Sequence, residues 1–239
     1  MLDDLFAKLF PKKPATPAGP VEFIIAGLGN PGVQYEDTRH NAGFLALDYI
    51  AGKCGAKITR VKFKSYTGEA MLAGRKVLLL KPATFMNKSG QAVVEALGFH
   101  KLPIENLLVL YDEIALPPGT LRIRAEGSSG GHNGMKNIIY LTGKDNFPRI
   151  RLGIGGKPHP EMELSDWVLG RFAKQEAEAL EGTFPQVLQA AEMILRGEIL
   201  DAMARLNKRH IGTPQPEGAG RKAQPAQTPE TNQPNEGDE

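Results

Sequence analysis

Two patterns of apolar residues alternate along the chain, and together they predict an alternation of strands and helices. Short apolar runs bounded by turn residues are typical of strands, buried on both faces where the run is continuous and half-exposed where it alternates. By this criterion we predict strands at 21–27, 65–72, 76–82, 106–113, 120–126 and 149–155. Only a short turn separates the second strand from the third, which predicts a hairpin.

Apolar residues at helical spacing predict helices between these strands. In the helix predicted at 42–54 they fall on one stripe, and further helices are predicted after Ser89 and from about Asn133. Helical segments continue to about Lys208. Breaks or caps within this last region are expected at Gly182, Pro185 and Gly197. Strand–helix units combined with a hairpin predict a single three-layer α/β domain, in which a mixed, twisted sheet is flanked by helices.

The two ends of the chain differ in composition from the part between them. Residues 212–239 contain five prolines and no apolar residue larger than alanine, so we predict a disordered polar tail there. Residues 1–20 predict an N-terminal extension, a short amphipathic helix followed by a linker. The folded domain is then expected at 21–211. The whole chain has a net charge of +2 but this domain carries +4, a mild bias towards anionic partners.

Cysteine content and hydropathy indicate a cytoplasmic protein. The single cysteine, Cys54, excludes a disulfide framework and fits a reducing compartment. No apolar run approaches the roughly 18 residues that a membrane-spanning helix needs. Asp3 and Asp4 stand where a secretory signal carries positive charge. We therefore expect a location in the cytoplasm and no membrane partner. We also expect a monomer.

Polar side chains capable of catalysis are concentrated in four short segments at the ends of predicted elements. These segments contain Asn30, Tyr35, Arg39, His40 and Asn41; Phe85 and Asn87; Asp112 and Glu113; and His132 and Asn133. Each has a purely structural alternative, since histidine and aspartate are common surface residues and Asn87 could be the N-cap of the next helix. Four such clusters, with histidine and aspartate among them, favour an active site over four unrelated loops.

Two glycine-rich segments could instead bind a nucleotide cofactor. Gly27, Gly29 and Gly32 match the pattern G-x-G-x-x-G of dinucleotide-binding proteins. However, no helix is predicted to open on this motif, and the acidic residue nearest the required distance, Asp48, falls inside a predicted helix. The second segment, 126–133, lacks the P-loop pattern, and its glycines would let a ligand approach the backbone closely. A nucleotide-dependent oxidoreductase is therefore disfavoured.

A metal centre is a further alternative for the same side chains. His40, Asp112 and His132 could in principle coordinate one ion together. No H-x-x-x-H or C-x-x-C spacing supports such a site. We therefore predict no metal and no cofactor.

Five sequence blocks resemble those of bacterial-type peptidyl-tRNA hydrolases and occur in the same order. They are GLGNPGVQYEDTRHNAGF, KPATFMNKSG, DEIALPPG, GSSGGHNGMKNI and RIRLGIG, and they cover about residues 21–200. One departure is Ala115, where the family usually has aspartate, and this position receives no role. The resemblance implies a cofactor-independent esterase that hydrolyses the bond between peptide and tRNA in peptidyl-tRNA, and so rescues stalled translation products.

The resemblance also implies roles for individual side chains. His40 would be the general base, Asp112 the carboxylate that holds it in its basic form, and Asn30 the side chain that distinguishes N-blocked from free aminoacyl-tRNA. No serine or cysteine in the five blocks stands out as a nucleophile, which favours direct attack by water. His132 would be an auxiliary residue. The remaining substrate contacts would be Tyr35, Phe85, Asn87 and Asn133.

Arginines alternate on two of the predicted strands and are expected to point outward there. Arg122 and Arg124 lie on one strand, and Arg149 and Arg151 on the other. From spacing alone, an ordinary solvated strand face is an equal alternative. The resemblance favours Arg122, Arg124 and Arg151 as contacts to tRNA phosphates, with Lys157 nearby.

A non-catalytic RNA-binding paralogue is the main alternative from another functional class. The chain retains a complete set of candidate catalytic and binding residues, namely Asn30, His40, Asn87, Asp112 and Asn133. A protein that only binds RNA needs neither a base nor an acid to orient it. This set therefore favours the enzyme.

Overall fold

The computed structural model describes residues 18–207 of the 239-residue chain. Seven strands form one sheet in the order β2-β3-β4-β1-β5-β7-β6. The strands are β1 Phe23–Gly27, β2 Arg60–Lys62, β3 Ser65–Leu72, β4 Arg75–Pro82, β5 Leu107–Glu113, β6 Leu121–Arg124 and β7 Arg149–Gly153. The amphipathic segment and the polar tail predicted for the two ends lie outside the described residues.

The sheet is mixed, as the sequence predicts. β1, β4, β5 and β7 are parallel to one another, whereas β3 pairs antiparallel with β2 and β4, and β6 pairs antiparallel with β7. The parallel strands therefore end at one common edge, where loops from several strands can meet. The hairpin of β3 and β4 is confirmed.

Helices cover both faces of the sheet, which confirms the three-layer arrangement. The helices are α1 Ala42–Lys53, α2 Ser89–His100, α3 Asn133–Thr142, α4 Leu164–Leu169, α5 Lys174–Glu181, α6 Phe184–Leu195 and α7 Ile199–Leu206. One apolar core joins the sheet to α1, α6 and α7, and a second joins its other face to α2 and α3. The strands between them are buried on both sides, as their continuous apolar runs predict.

Two local features differ from the sequence predictions. The short edge strand β2 was not predicted, because its three residues are all exposed and show no apolar pattern. Pro185 does not break a helix but lies in the first turn of α6, where proline needs no backbone N–H.

The glycines of the first glycine-rich segment serve packing. A Cβ at Gly27 would collide with the backbone of Gly43 in α1, and one at Gly43 would collide with the carbonyl of Leu110. At Gly29 a Cβ would lie 2.6 Å from the ring of Phe44. Because these small residues let α1 approach β1 and β5 closely, the turn that precedes α1 lies directly over the strand ends. A single 3₁₀ turn, Val33–Tyr35, directly follows the motif, and the first α-helix begins ten residues after it, at Ala42.

The helices of the described part, residues 18–207, are short. The longest contain 12 residues. None of them is long and apolar enough to cross a membrane.

Candidate active site

Three of the four polar segments meet at the carboxyl edge of the parallel strands. The loop after β1 carries a 3₁₀ turn at Arg39–Asn41, the loop after β4 carries another at Met86–Lys88, and Asp112 lies near the end of β5. The fourth polar segment lies at the end of the loop 125–132, called the glycine-rich segment from here on. This loop follows the antiparallel strand β6 and therefore starts at the opposite edge. It runs back along the sheet and delivers its last residue, His132, to Asp112.

One carboxylate oxygen at the centre of the site contacts two imidazoles. Nδ1 of His40 and Nε2 of His132 each lie 2.9 Å from Oδ1 of Asp112. The side chains of His40, Asp112 and His132 are all largely buried. The two rings are neighbours, with centroids 4.9 Å apart. The sequence predicts the pair of His40 and Asp112, whereas the equal contact of His132 with the same oxygen was not predicted.

Asp112 is ionised in this environment. Burial alone would raise the pKa of Asp112, but the charges of His132 and His40 and their hydrogen bonds outweigh burial and hold that pKa well below its ordinary value. An ionised carboxylate only accepts hydrogen bonds. Both ring nitrogens that contact Asp112 therefore carry protons.

The other nitrogens of the two imidazoles are in different surroundings. Nδ1 of His132 accepts the backbone N–H of Met135 at 3.2 Å, so that the ring forms the N-cap of α3. This contact and the contact with Asp112 together fix one tautomer of His132 and occupy both of its nitrogens. Among residues 18–207, His40 has a hydrogen-bond partner at Nδ1 only, which leaves its Nε2 free to accept a proton. The two histidines are therefore not equivalent.

The two ring nitrogens that face Asp112, Nδ1 of His40 and Nε2 of His132, could be considered as metal ligands. Ligand atoms of His40, Asp112 and His132 lie within 4.8 Å of one another. Each nitrogen that faces the carboxylate is at hydrogen-bond distance from it, without space for an ion between them. This geometry favours a hydrogen-bonded set over a metal centre.

Asn30 is held in a fixed orientation by its neighbours. Its side-chain Oδ1 accepts the backbone N–H of Met86 at 2.9 Å. The side chain of Asn41 binds both the N–H and the carbonyl of Asn30, at 2.8 and 3.0 Å. The amide –NH₂ of Asn30 therefore remains as a donor. Asn41 carries no role in the sequence prediction, although it belongs to the same polar segment.

Two adjoining cavities surround the central residues. A catalytic pocket of about 190 Å³ is lined by His40, Asp112, His132 and Asn133, among others. An open groove of about 680 Å³ lies beside it and is lined by Asn87 and, again, by Asn133. Five of the predicted site residues therefore line these two cavities. Asn30 lines neither of them but contacts the 3₁₀ turn of Asn87 through the backbone of Met86.

The remaining predicted substrate contacts lie farther out. Tyr35 is half-buried and Phe85 is exposed, and neither lines the pocket or the groove. Asn87 lies within the 3₁₀ turn that precedes α2, one residue before Lys88 in the N-cap position, so its interpretation as the helix cap is wrong.

Arg149 does not point outward as predicted but is fully buried. Its guanidinium donates hydrogen bonds to the backbone carbonyls of Gly127, Ser128, Asp145 and Phe147. The alternation along β7 correctly predicts that Arg149 and Arg151 lie on the same face of the sheet. Segment 125–132, however, folds back over that face and covers Arg149. Arg149 is thus the anchor of the glycine-rich segment.

The other arginines form a partly exposed cationic patch. Arg122 and Arg151 are direct cross-strand partners, and Arg151 pairs with Glu113 at 3.0 Å. Burial, followed by repulsion from Arg122 and Arg151, lowers the pKa of Arg124. We call Arg122, Arg124 and Arg151 the cationic patch, and its positive charge is suited to binding an anion. Lys157 instead donates to the carbonyls of its own loop.

A wall of the catalytic pocket comes from a part of the chain to which no site role was assigned. Leu164 and Val168 of α4 line the pocket. Arg39, next to His40, stacks on the ring of Trp167 at 3.6 Å and forms a 2.6 Å ion pair with Glu176. Arg39 therefore ties the histidine turn to α4 and α5.

Comparisons with known proteins decide which family this site belongs to. The sequence profile described as peptidyl-tRNA hydrolase matches residues 24–214. The peptidyl-tRNA hydrolase of Caldanaerobacter subterraneus subsp. tengcongensis is 49% identical over 185 residues, which cover 77% of this chain and 99% of that protein. The chain belongs to the peptidyl-tRNA hydrolase family.

Two further peptidyl-tRNA hydrolases are also similar to this chain along most of their length. The peptidyl-tRNA hydrolase of Alkaliphilus oremlandii is 50% identical over 185 residues, covering 77% of this chain and 98% of that protein. The crystal structure of peptidyl-tRNA hydrolase from Acinetobacter baumannii superposes with a TM-score of 0.74 at 35% identity, and covers 80% of this chain and 97% of that one. The family resemblance and the α/β fold inferred from the sequence are confirmed.

Proposed function

We propose that this chain hydrolyses the ester bond between peptide and tRNA in peptidyl-tRNA, by attack of a water molecule that His40 activates. The observation that carries the mechanism is the asymmetry of the two imidazoles on Asp112. Of these two rings, only His40 combines a proton donated to that carboxylate with a second nitrogen that has no partner in the described part of the chain. Family membership supports the reaction and its substrate.

The first step follows from this geometry. Nε2 of His40 takes a proton from water as the water oxygen attacks the ester carbonyl carbon. A general base of this kind contributes about 10²- to 10⁴-fold to a rate. Asp112 stays ionised, keeps the proton on Nδ1 and stabilises the imidazolium that forms, as carboxylates do in hydrolytic triads.

The second step breaks the ester. The tetrahedral intermediate collapses, the bond between the carbonyl carbon and the ribose oxygen breaks, and His40 returns its proton to that oxygen. The products are a peptide with a free carboxylate and a tRNA with a free ribose hydroxyl. No covalent enzyme intermediate is needed, so no nucleophilic serine or cysteine is required.

Asn30 and Asn133 are proposed to hold the reacting end of the substrate. The –NH₂ of Asn30 is free to donate, and its orientation is fixed by Met86 and Asn41. Such a preorganised donor can bind the carbonyl of an N-blocked substrate or the developing oxyanion. Asn133 lines both the pocket and the groove. From this position it would hold the terminal nucleoside next to the ester.

More distant contacts are proposed for the remaining residues. Tyr35 and Phe85 would contact parts of the substrate outside the pocket, and Asn87 would contact it in the groove. Arg122, Arg124 and Arg151 would bind tRNA phosphates. His132 holds Asp112 and caps α3, and both of its nitrogens are occupied, so we assign it a positioning role.

A direct assay tests the proposed function. Purified protein is incubated with N-acetyl-aminoacyl-tRNA and, separately, with free aminoacyl-tRNA. We expect rapid release of the N-acetyl-amino acid from the first substrate only. A His40→Ala variant purified in parallel controls for contaminating esterases. Equal cleavage of both substrates, or none of either, would contradict the proposal, and loss of activity after exhaustive chelation would contradict the metal-independent mechanism.

A further inference from the structure

Arg39, the residue before the proposed base, has a charged side chain that is almost completely buried. Only 6% of its surface is exposed. Cζ of its guanidinium lies 3.6 Å from the centroid of the Trp167 ring, and its nitrogens form a 2.6 Å ion pair with Glu176 and donate to the carbonyl of Arg171 at 2.8 Å. Taking a guanidinium out of water costs free energy that such partners do little more than offset. Stability of the fold alone is therefore a weak reason for a buried arginine at this position.

The backbone around Arg39 is joined to the same region of the chain. The N–H of Arg39 donates to the carbonyl of Gly170 at 3.0 Å, and Thr38 forms an isolated antiparallel β-bridge with Arg171. Side chain and backbone of one residue therefore attach the 3₁₀ turn of His40 to the segment between α4 and α5.

The 3₁₀ turn that carries His40 is anchored through both neighbours of this histidine. The side chain of Asn41 binds the backbone of Asn30, just after β1. The side chain of Arg39 binds the region of α4 and α5. Asp112 holds the imidazole of His40 at Nδ1, so the direction in which Nε2 points depends on where the turn places the backbone of His40. Both anchors are therefore needed to define the position of the base.

Arg39 also holds one wall of the catalytic pocket. This wall is α4, a helix of six residues in which Val168 is buried and Leu164 is 41% exposed. So short a helix has little stability of its own and depends on its contacts. Trp167 of α4 is fixed by the guanidinium of Arg39 and by the hydrogen bond from its indole N–H to the carbonyl of Gly155, at 2.8 Å. The proposed base and a wall of its pocket therefore share Arg39 as an anchor.

We propose that Arg39 is a positioning residue for the hydrolysis, which sets the place of His40 relative to the wall formed by α4. The scissile ester and the attacking water lie between this wall and Nε2 of His40, so a shift of the base would misalign it with both. The inference rests on the proposed function, because it takes His40 as the base. Arg39 itself touches neither the substrate nor the water and acts through His40.

Three variants of the full-length protein test this role. Arg39→Met removes the charge and keeps the length of the side chain, whereas Arg39→Lys keeps the charge without the planar guanidinium. The matched control is Lys76→Met, which breaks a similarly buried ion pair, with Glu69 at 2.9 Å, at the amino end of β4 and thus at the opposite edge of the sheet. Urea unfolding identifies conditions under which all variants are folded, and steady-state kinetics with N-acetyl-aminoacyl-tRNA are measured there.

For Arg39→Met we expect kcat to fall about 10- to 100-fold and KM to stay within about threefold of wild type, because misplaced reacting groups slow the chemical step. The kcat of Arg39→Lys should lie between those of wild type and Arg39→Met, and Lys76→Met should resemble wild type. An unchanged kcat in Arg39→Met, a loss that appears in KM instead, or an equal loss in Lys76→Met would overturn the proposal. So would a larger loss in Arg39→Lys than in Arg39→Met.

A second background separates positioning from a direct role. In His40→Ala, which lacks the base, the added substitution Arg39→Met should lower kcat by less than about twofold, because the effects of residues that act as a unit are not additive. A further loss as large as in the Arg39→Met single variant would overturn the proposal, since Arg39 would then act without His40. If His40→Ala alone keeps the wild-type kcat, the proposed function fails. If His40→Ala loses activity while Arg39→Met does not, only the positioning role fails.

Discussion

The loop after β1 and the glycine-rich segment 125–132 each deliver one histidine to the same oxygen of Asp112, at the same distance. The first leads directly into α1 and is fixed by the double hydrogen bond of Asn41 to Asn30. The second crosses the sheet from the opposite edge and is fixed by the buried Arg149. Equal distances therefore conceal two different local structures.

This difference separates the chemistry of the two rings. His132 begins a helix, so its second nitrogen is used by the backbone N–H of Met135. His40 lies in a 3₁₀ turn just before α1, and no described residue forms a hydrogen bond with its second nitrogen. A contact with a carboxylate therefore does not by itself make a histidine a base. What the other nitrogen contacts decides whether it can accept a proton.

Replacing Asp112 acts on both regions at once and should have the largest effect. Asp112→Asn removes the charge that holds both ring protons and stabilises the imidazolium of His40. We expect kcat for N-acetyl-aminoacyl-tRNA to fall on the order of 10³- to 10⁴-fold, as for the carboxylate of a hydrolytic triad. Steady-state kinetics measure this loss. A decrease of less than tenfold would mean that Asp112 does not orient the base.

The same substitution predicts a change in acid stability. The folded-state pKa of Asp112 lies below the unfolded value of about 3.9, so its contribution to stability is complete above that value and is lost as pH falls through the folded pKa. Urea unfolding from pH 7 down to pH 3 should therefore show a steeper loss of stability for wild type than for Asp112→Asn. Parallel curves would exclude this contribution.

Releasing the anchor of the glycine-rich segment should mainly affect stability. Arg149→Met leaves four buried or partly buried carbonyl groups without their donor, and we expect a loss of about 3 kcal/mol in the free energy of unfolding. Arg122→Met is the control, because Arg122 lies on the neighbouring strand β6 and is exposed. It should change the free energy of unfolding by less than about 0.5 kcal/mol. Chemical denaturation of both variants measures the difference, and equal losses would contradict the anchoring role.

The exposed arginines should affect tRNA binding more modestly. In the Arg122→Ala/Arg124→Ala variant, the slope of log affinity for tRNA against log salt concentration should decrease by about 2, one unit for each phosphate contact. Its kcat should remain near that of wild type. Arg75→Ala, at the amino end of β4 and away from the site, is the control. An unchanged slope in the double variant would leave the cationic patch without a role in tRNA binding.

Local pattern predicts most of this fold, because strands buried on both faces and amphipathic helices leave clear apolar signatures. It also gives the polar residues near His40 and Asp112, since parallel strands end at one edge. The apolar pattern of a strand does not show which other segment of the chain packs on each of its faces. Arg149 has the alternation of an exposed residue, and only the path of segment 125–132 buries it. The contact between Arg39 and Trp167 joins residues 128 positions apart, for which no local signal exists.

The central claim is that His40, and not His132, accepts the proton from water. It is tested most directly by the single-turnover rate of N-acetyl-aminoacyl-tRNA hydrolysis at saturating enzyme, for His40→Ala and His132→Ala side by side. We predict a loss of about 10²- to 10⁴-fold for His40→Ala and less than about tenfold for His132→Ala, the size expected from a lost helix cap and a less well-held Asp112. Equal losses, or a larger loss for His132→Ala, would contradict the account.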